Sequence, residues 1–145
     1  MSCILSIETS TNICSVAMSH DGECIFNQEN HQGPNHNEIL GTFIDEALTF
    51  IDTRNITLDA VAVSSGPGSY TGLRIGTSMA KGICYGRDAK LIAVPTLELL
   101  AVPVLLGEMV AEDGALLVPM LDARRMEVYA QVLDRALKEV RGIQA

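Results

Sequence analysis

Apolar and polar residues alternate in short runs along the first part of the chain. Residues 4–7 (Ile4-Leu5-Ser6-Ile7), 15–19 and 24–28 each predict a strand by that two-residue period. The polar stretch Thr9-Ser10-Thr11-Asn12 separates the first two, and His20-Asp21-Gly22 separates the second from the third. Asp-Gly between alternating segments signals a hairpin, because both central positions of a tight primed turn need positive φ. The chain therefore opens as an antiparallel meander.

At Gln32-Gly33-Pro34 the period changes. Asn35 followed by Glu38 is a helix-start arrangement in which Asn35 caps and Glu38 reaches back to its N–H. Ile39, Leu40, Phe43, Ile44, Ala47, Leu48 and Ile51 then fall in two rows at helical spacing, predicting a helix over 35–51. That stripe is broad for a helix packing on one surface only. A strand is expected at Ala60–Ser64, then a glycine-rich turn, a helix over 71–85, a strand over 91–94 and a helix over Thr96–Leu106, whose start Thr96 and Glu98 favour. After Glu112-Asp113-Gly114, the run 115–121 reads as the first strand of a second sheet. Residues 127–140 carry two patterns: Val128, Val132, Leu133, Ala136, Leu137 and Val140 fit an amphipathic helix, while 128–132 alone fit a strand. The residue pattern by itself leans to helix. Three strands in hairpin order, then helix, strand, helix, strand, describe a mixed α/β sheet with parallel pairing around the helices.

Composition narrows the class. With 145 residues, 48 % of them apolar, the chain can bury a core, and with only 4 % aromatics and no Trp that core is aliphatic. No run approaches the roughly 18 apolar residues of a membrane span, and Glu8 interrupts the first apolar run, so no signal peptide is expected. A soluble, cytoplasmic protein is the expectation. Cys3, Cys14, Cys24 and Cys84 are scattered without metal spacing and read as reduced core thiols. The formal net charge is −8, and no Lys or Arg precedes Arg54, whereas eight acids do. Such a surface repels phosphate backbones, which argues against independent nucleic-acid binding. A basic protein partner fits the acidity, and so does plain solubility.

Three segments carry candidate chemistry. Glu8-Thr9-Ser10-Thr11 puts an acid and small hydroxyls at a β-turn, where they can meet nucleotide phosphates and their metal ion; a hairpin turn explains the same residues. The turn over 64–71 (Ser64-Ser65-Gly66-Pro67-Gly68-Ser69-Tyr70-Thr71) joins a strand to a helix, so its backbone can hold an anion or simply make a tight corner. It lacks a phosphate-loop lysine, and its glycines miss dinucleotide spacing. In the helix that follows, Gly72, Gly76 and Ala80 fall at i, i+4 and i+8, with Gly82 and Gly86 nearby. Helical glycine costs about 0.8–1 kcal/mol against alanine, so a ridge of small residues needs a compensating close approach. The approaching backbone is either the chain's own sheet or a partner's helix. Among His20, His31 and His36 no nucleophile–base pair emerges. Leu40 stands one turn after His36, so an H-x-x-x-H metal site is absent.

The segments Ile4-Leu5-Ser6-Ile7-Glu8-Thr9-Ser10, Ser65-Gly66-Pro67-Gly68-Ser69-Tyr70-Thr71-Gly72-Leu73-Arg74-Ile75-Gly76 and Leu121-Asp122-Ala123-Arg124-Arg125-Met126-Glu127-Val128-Tyr129 together resemble the bacterial TsaB (YeaZ) family, long labelled glycoprotease-like. The resemblance spans essentially the whole chain. It implies an actin-like/Hsp70-like ATPase fold of ribonuclease-H-like lobes, with a first lobe over 1–112 and the start of a truncated second lobe over 113–145. It implies a non-catalytic scaffold or activator in the complex that forms threonylcarbamoyladenosine beside the tRNA anticodon. The implied partners are a catalytic TsaD-type paralogue and a TsaE-type ATPase, with a homodimer in isolation and tRNA met only through the complex. Ile39, Leu40, Phe43, Ile44, Leu48, Gly72, Leu73, Gly76 and Ala80 become the implied partner surface. Glu8, Thr9, Ser10 and Thr11 become a degenerate nucleotide site, with no catalytic or metal-binding residue, no required cofactor, and at most weak ATP/Mg binding at a shared interface. The resemblance also turns Glu127–Leu133 from helix to strand. Family members usually carry Asp in place of Glu8, and the extra methylene displaces any metal-bound phosphate. Family chains are also longer, so the second lobe is expected to be partial and to leave core surface exposed. The alternative reading is a glycoprotease-like metallopeptidase or an ATPase in its own right.

Overall fold

The structure is a computed structural model that describes residues 2–32, 36–107, 109 and 112–145. Its contacts group into two compact units. The first holds the chain to Ser65 together with Ser69–Ala93; the second holds Gly66–Gly68 together with Val94–Ala145.

In the first unit, β1 (Cys3–Glu8), β2 (Cys14–His20) and β3 (Glu23–Asn30) form the expected meander. Asp21 and Gly22 turn β2 into β3 with φ of 52° and 84°, the two positive values that a primed turn requires. Then come α1 (His36–Asp52), β4 (Ala60–Ser64), α2 (Tyr70–Arg87) and β5 (Lys90–Val94), and the sheet order is β3-β2-β1-β4-β5. β1 is the hinge of the topology, antiparallel to β2 (Leu5 opposite Met18, Ile7 opposite Val16) and parallel to β4 (Leu5 opposite Val61, Ile7 opposite Val63). Side chains alternate across a strand, so these residues share one face and are all buried. Onto that face α1 sends Leu40, Ile44, Ala47 and Ile51, at i, i+4, i+7 and i+11, and α2 sends Ala80. α1 lies over β2 and α2 over β4, side by side. The Asn35 cap expected for α1 lies outside the described residues.

The second unit contains α3 (Thr96–Leu106) and an antiparallel sheet, β6 (Met120–Arg124), β7 (Glu127–Leu133) and β8 (Glu139–Gln144), in that order. This unit takes in α3 from Val94 onward, whereas the sequence reading placed the start of a second lobe at Asp113. The strand expected over 115–121 begins at Met120 instead. Before it, Leu117 makes a single bridge to Leu133, and Pro119, lacking an N–H, interrupts the ladder between them. The helix favoured by residue spacing over 127–140 is not formed. Asp134 turns the chain there, its Oδ1 accepting from the N–H groups of Ala136 and Lys138, and β7 and β8 pair across the turn. Ala101, Leu117 and Leu133 form a small core of this unit's own.

Candidate functional site

The loop after β1 is built from inside. Glu8 is half-buried, and its Oε1 accepts from Ser10 N (2.8 Å), from the Ser10 hydroxyl and from Ser64 Oγ (2.9 Å). Thr9 is fully buried, and its hydroxyl donates to the carbonyl of Gly72 at 2.6 Å. Ser69 N donates to Ser10 O at 2.7 Å, and Ser69 Oγ caps α2 by accepting from Gly72 N. The residues read as a degenerate nucleotide site, Glu8, Thr9 and Ser10, thus spend their polar groups on joining β1 to β4 and to the first turn of α2. Thr11 follows at the half-exposed edge of the loop.

This loop also decides what the small-residue ridge does. A Cβ on Gly72 would fall under 3.0 Å from the backbone oxygen of Thr9, and one on Gly76 under 3.0 Å from the Thr9 hydroxyl and 3.5 Å from Val63 Cγ2. Ala80 continues the row into the core. Gly72, Gly76 and Ala80 are therefore not an open partner surface, as the resemblance implied; they seat α2 on its own sheet. Leu40 and Ile44 are corrected in the same way, since both are buried in the core. Ile39, Phe43, Leu48 and Leu73 remain half-buried. Sequence periodicity locates such a ridge but does not say which backbone approaches it. Thr9, placed by a loop far away in sequence, supplies the answer.

A different face of α2 is open. Thr71, Arg74, Ile75, Ser78, Met79, Gly82 and Ile83, with Asn37 of α1, line a groove of about 650 Å³. Its floor is apolar: Ile75, Met79 and Ile83 are half-buried and pack on the core below. Its rim is exposed and polar, formed by Thr71, Arg74 and Ser78. Gly41 of α1 sits 3.8 Å from Met79 Cε when given a Cβ, so the two helices close ordinarily at that point. Exposed Tyr70 and Tyr85 stand at the two ends of α2, with the Arg74 guanidinium 5.4 Å from the Tyr70 ring. At the far end, Arg87 grips Asp52 of α1 through two bonds of 2.8 Å, which hold the Asp52 carboxyl below the usual carboxylate range. Of the groove residues, the residue pattern had noted only Gly82, beside the small-residue ridge, and Thr71, Arg74 and Ile75 entered only within the family motif.

Burial pushes the Cys3 and Cys14 thiols up, with Asp59 and Asp21 adding to the effect at Cys3. Cys24 is exposed. Among the described residues, no three His, Cys, Asp or Glu side chains converge as a metal site would require, and no helix is long and apolar enough to cross a membrane.

Residues 25–142 match the family model described as TsaD, tRNA N6-adenosine threonylcarbamoyltransferase. The chain is also 35 % identical over 126 residues to the tRNA threonylcarbamoyladenosine biosynthesis protein TsaB of Haemophilus influenzae, covering 87 % of this chain and 51 % of the relative. The chain belongs to the TsaB (YeaZ) family. Among solved structures, YeaZ from Pseudomonas aeruginosa superposes with a TM-score of 0.77 at 26 % identity, covering all of this chain and 65 % of that one. The mixed five-stranded sheet with its helices is accordingly the actin-like, ribonuclease-H-like ATPase fold. A tRNA N6-adenosine threonylcarbamoyltransferase of Staphylococcus aureus is 30 % identical over 162 aligned positions, which cover 94 % of this chain and 47 % of the enzyme. This TsaB-family chain therefore spans about half the length of the curated relatives it matches.

Proposed function

We propose that this chain serves threonylcarbamoyladenosine formation on tRNA as a non-catalytic subunit that pairs with a TsaD-type transferase through the outward groove of α1 and α2. The observation that carries the proposal is the groove itself: an apolar floor of Ile75, Met79 and Ile83 left open on a chain of the TsaB family. The chain meets its partner first, and the complex meets tRNA, which agrees with a net charge of −8 that repels a phosphate backbone. Glu8 and Thr9 support the fold beneath the groove rather than a reaction, and any ATP/Mg binding is weak and belongs to the shared interface. A TsaE-type ATPase joins the complex, the free chain pairs with itself, and the setting is the cytoplasm.

Reconstitution tests this. The chain is combined with the TsaD-type and TsaE-type proteins of its source, a threonylcarbamoyl donor and tRNA, and the modified nucleoside is quantified. Ser78→Arg places a bulky charge on the exposed groove rim without touching the core, and is expected to abolish complex formation and modification together. Modification by Ser78→Arg at the wild-type rate would overturn the assignment. Tight ATP/Mg binding by the chain alone in calorimetry would favour an ATPase instead.

A further inference from the structure

The hairpins β2–β3 and β6–β7 both turn on two residues of positive φ, but they are built from different residues. Asp21-Gly22 is the kind of pair that such a turn favours. From β6 to β7 the turn is Arg125-Met126, with φ of 52° and 64°, and Arg124 before it adds a third positive value of 69°. None of the three is Gly, Asn or Asp, so the tip holds a left-handed backbone against the clash of its own Cβ atoms. Glycine at Arg125 or Met126 would remove that strain. Nothing inside the fold accounts for the side chains kept instead. Met126 is entirely exposed, Arg124 and Arg125 are exposed, and among the described residues neither guanidinium has an ion pair or a hydrogen bond. Two acids flank the tip. Asp122 turns its Oδ1 to the backbone N–H of Arg124, and Glu127 stands opposite Arg124 in the ladder. Strain that the fold does not offset points to contacts made outside it.

Charge indicates what those contacts are. Arg124-Arg125 is the only adjacent pair of bases in the sequence. Residues 124–145 hold five of the ten Lys and Arg but three of the eighteen Asp and Glu. The preceding residues therefore repel a phosphate backbone, while the stretch that begins at this tip attracts one. We propose that the β6–β7 tip is where this chain touches the backbone of tRNA in the assembled complex. The Arg124 and Arg125 forks hold phosphodiester oxygens, and Met126 lays its thioether against the ribose beside them. This rests on the reading, under Proposed function, that the chain meets tRNA as part of a complex. Backbone contacts of this kind fix register and orientation and carry no sequence preference.

The test is the anisotropy of labelled tRNA titrated with the full chain and its source's TsaD-type transferase over a salt series, alongside sedimentation of the protein complex and thermal unfolding. Arg124→Gln/Arg125→Gln is expected to weaken tRNA binding about tenfold at low salt and to lower the slope of log K against log salt by about 1.5, as two lost phosphate contacts require. Arg125→Gly is expected to separate two readouts, raising Tm by about 2–4 °C as the left-handed strain is relieved while weakening tRNA binding. An unchanged affinity and salt slope for the double variant would overturn this inference alone, because Ser78→Arg tests the groove separately. A double variant that no longer sediments with the transferase would show that the tip meets protein carboxylates, and would refute the RNA contact. A wild-type chain that fails to join the transferase, and leaves its tRNA affinity unchanged, would overturn the groove assignment as well.

Discussion

Gly76→Ala is the substitution on which helix propensity and tertiary packing disagree in sign. In an exposed helix the change stabilises by about 0.8–1 kcal/mol. Here the new methyl falls under 3.0 Å from the hydroxyl of Thr9, a residue with no exposed surface. That hydroxyl cannot simply rotate away, because it donates at 2.6 Å to the carbonyl of Gly72. Nor can the helix lift freely, because Gly72 is held against Thr9 one turn earlier. Overfilling a packed site costs about 1–3 kcal/mol, and losing the buried hydrogen bond a further 1–3 kcal/mol or so. Set against the propensity gain, the expected net loss is about 3 kcal/mol. Urea unfolding followed by far-ultraviolet circular dichroism reads this directly, with Gly82→Ala as the internal contrast, since that position is open. The two substitutions, less than two turns apart, should shift the midpoint in opposite directions. A Gly76→Ala chain at least as stable as wild type would refute the packing of α2 on Thr9.

Three further outcomes are expected. Glu8→Ala strands the buried Ser64 hydroxyl and the N–H of Ser10, and should lower stability by about 2 kcal/mol; an unchanged urea midpoint would contradict a structural role for this carboxylate. Because Asp52 titrates below its unfolded value, its contribution is present above the ordinary carboxylate range and is lost as pH falls through the folded pKa. The Tm difference between wild type and Asp52→Asn should therefore vanish on acidification and shrink in high salt, and a difference that grows on acidification would reverse the assignment. In the native chain a thiol reagent near pH 8 should label Cys24 first, whereas Cys3 and Cys14, buried and with raised pKa values, should react only on unfolding.

Local chemistry made much of the first unit legible. Alternating residues and one Asp-Gly pair were enough for the meander, and the apolar stripe was enough for the helix α1, but it did not separate Leu40 and Ile44, which face the core, from the half-buried residues beside them. Spacing failed where two periods coincided. Val128, Val132 and Leu133 suit a helix and a strand alike, and only the turn at Asp134, whose carboxylate accepts from the N–H groups of Ala136 and Lys138, resolves them into β7 and β8. The site was half legible. The two helices stood out, but the ridge of Gly72, Gly76 and Ala80 faces inward, because what fills it is a threonine from a loop whose own residues look like ligand-binding ones. The outward groove is marked by Gly82, a signal that emerges once the inner glycines are accounted for.

The most direct measurement is the mass, by analytical ultracentrifugation, of this chain mixed with its source's TsaD-type transferase. A one-to-one complex that Ser78→Arg dissolves, while the variant's unfolding curve stays unchanged, is the expected result. A mixture that sediments as two separate species, or a complex indifferent to Ser78→Arg, would contradict partner binding through the α1–α2 groove.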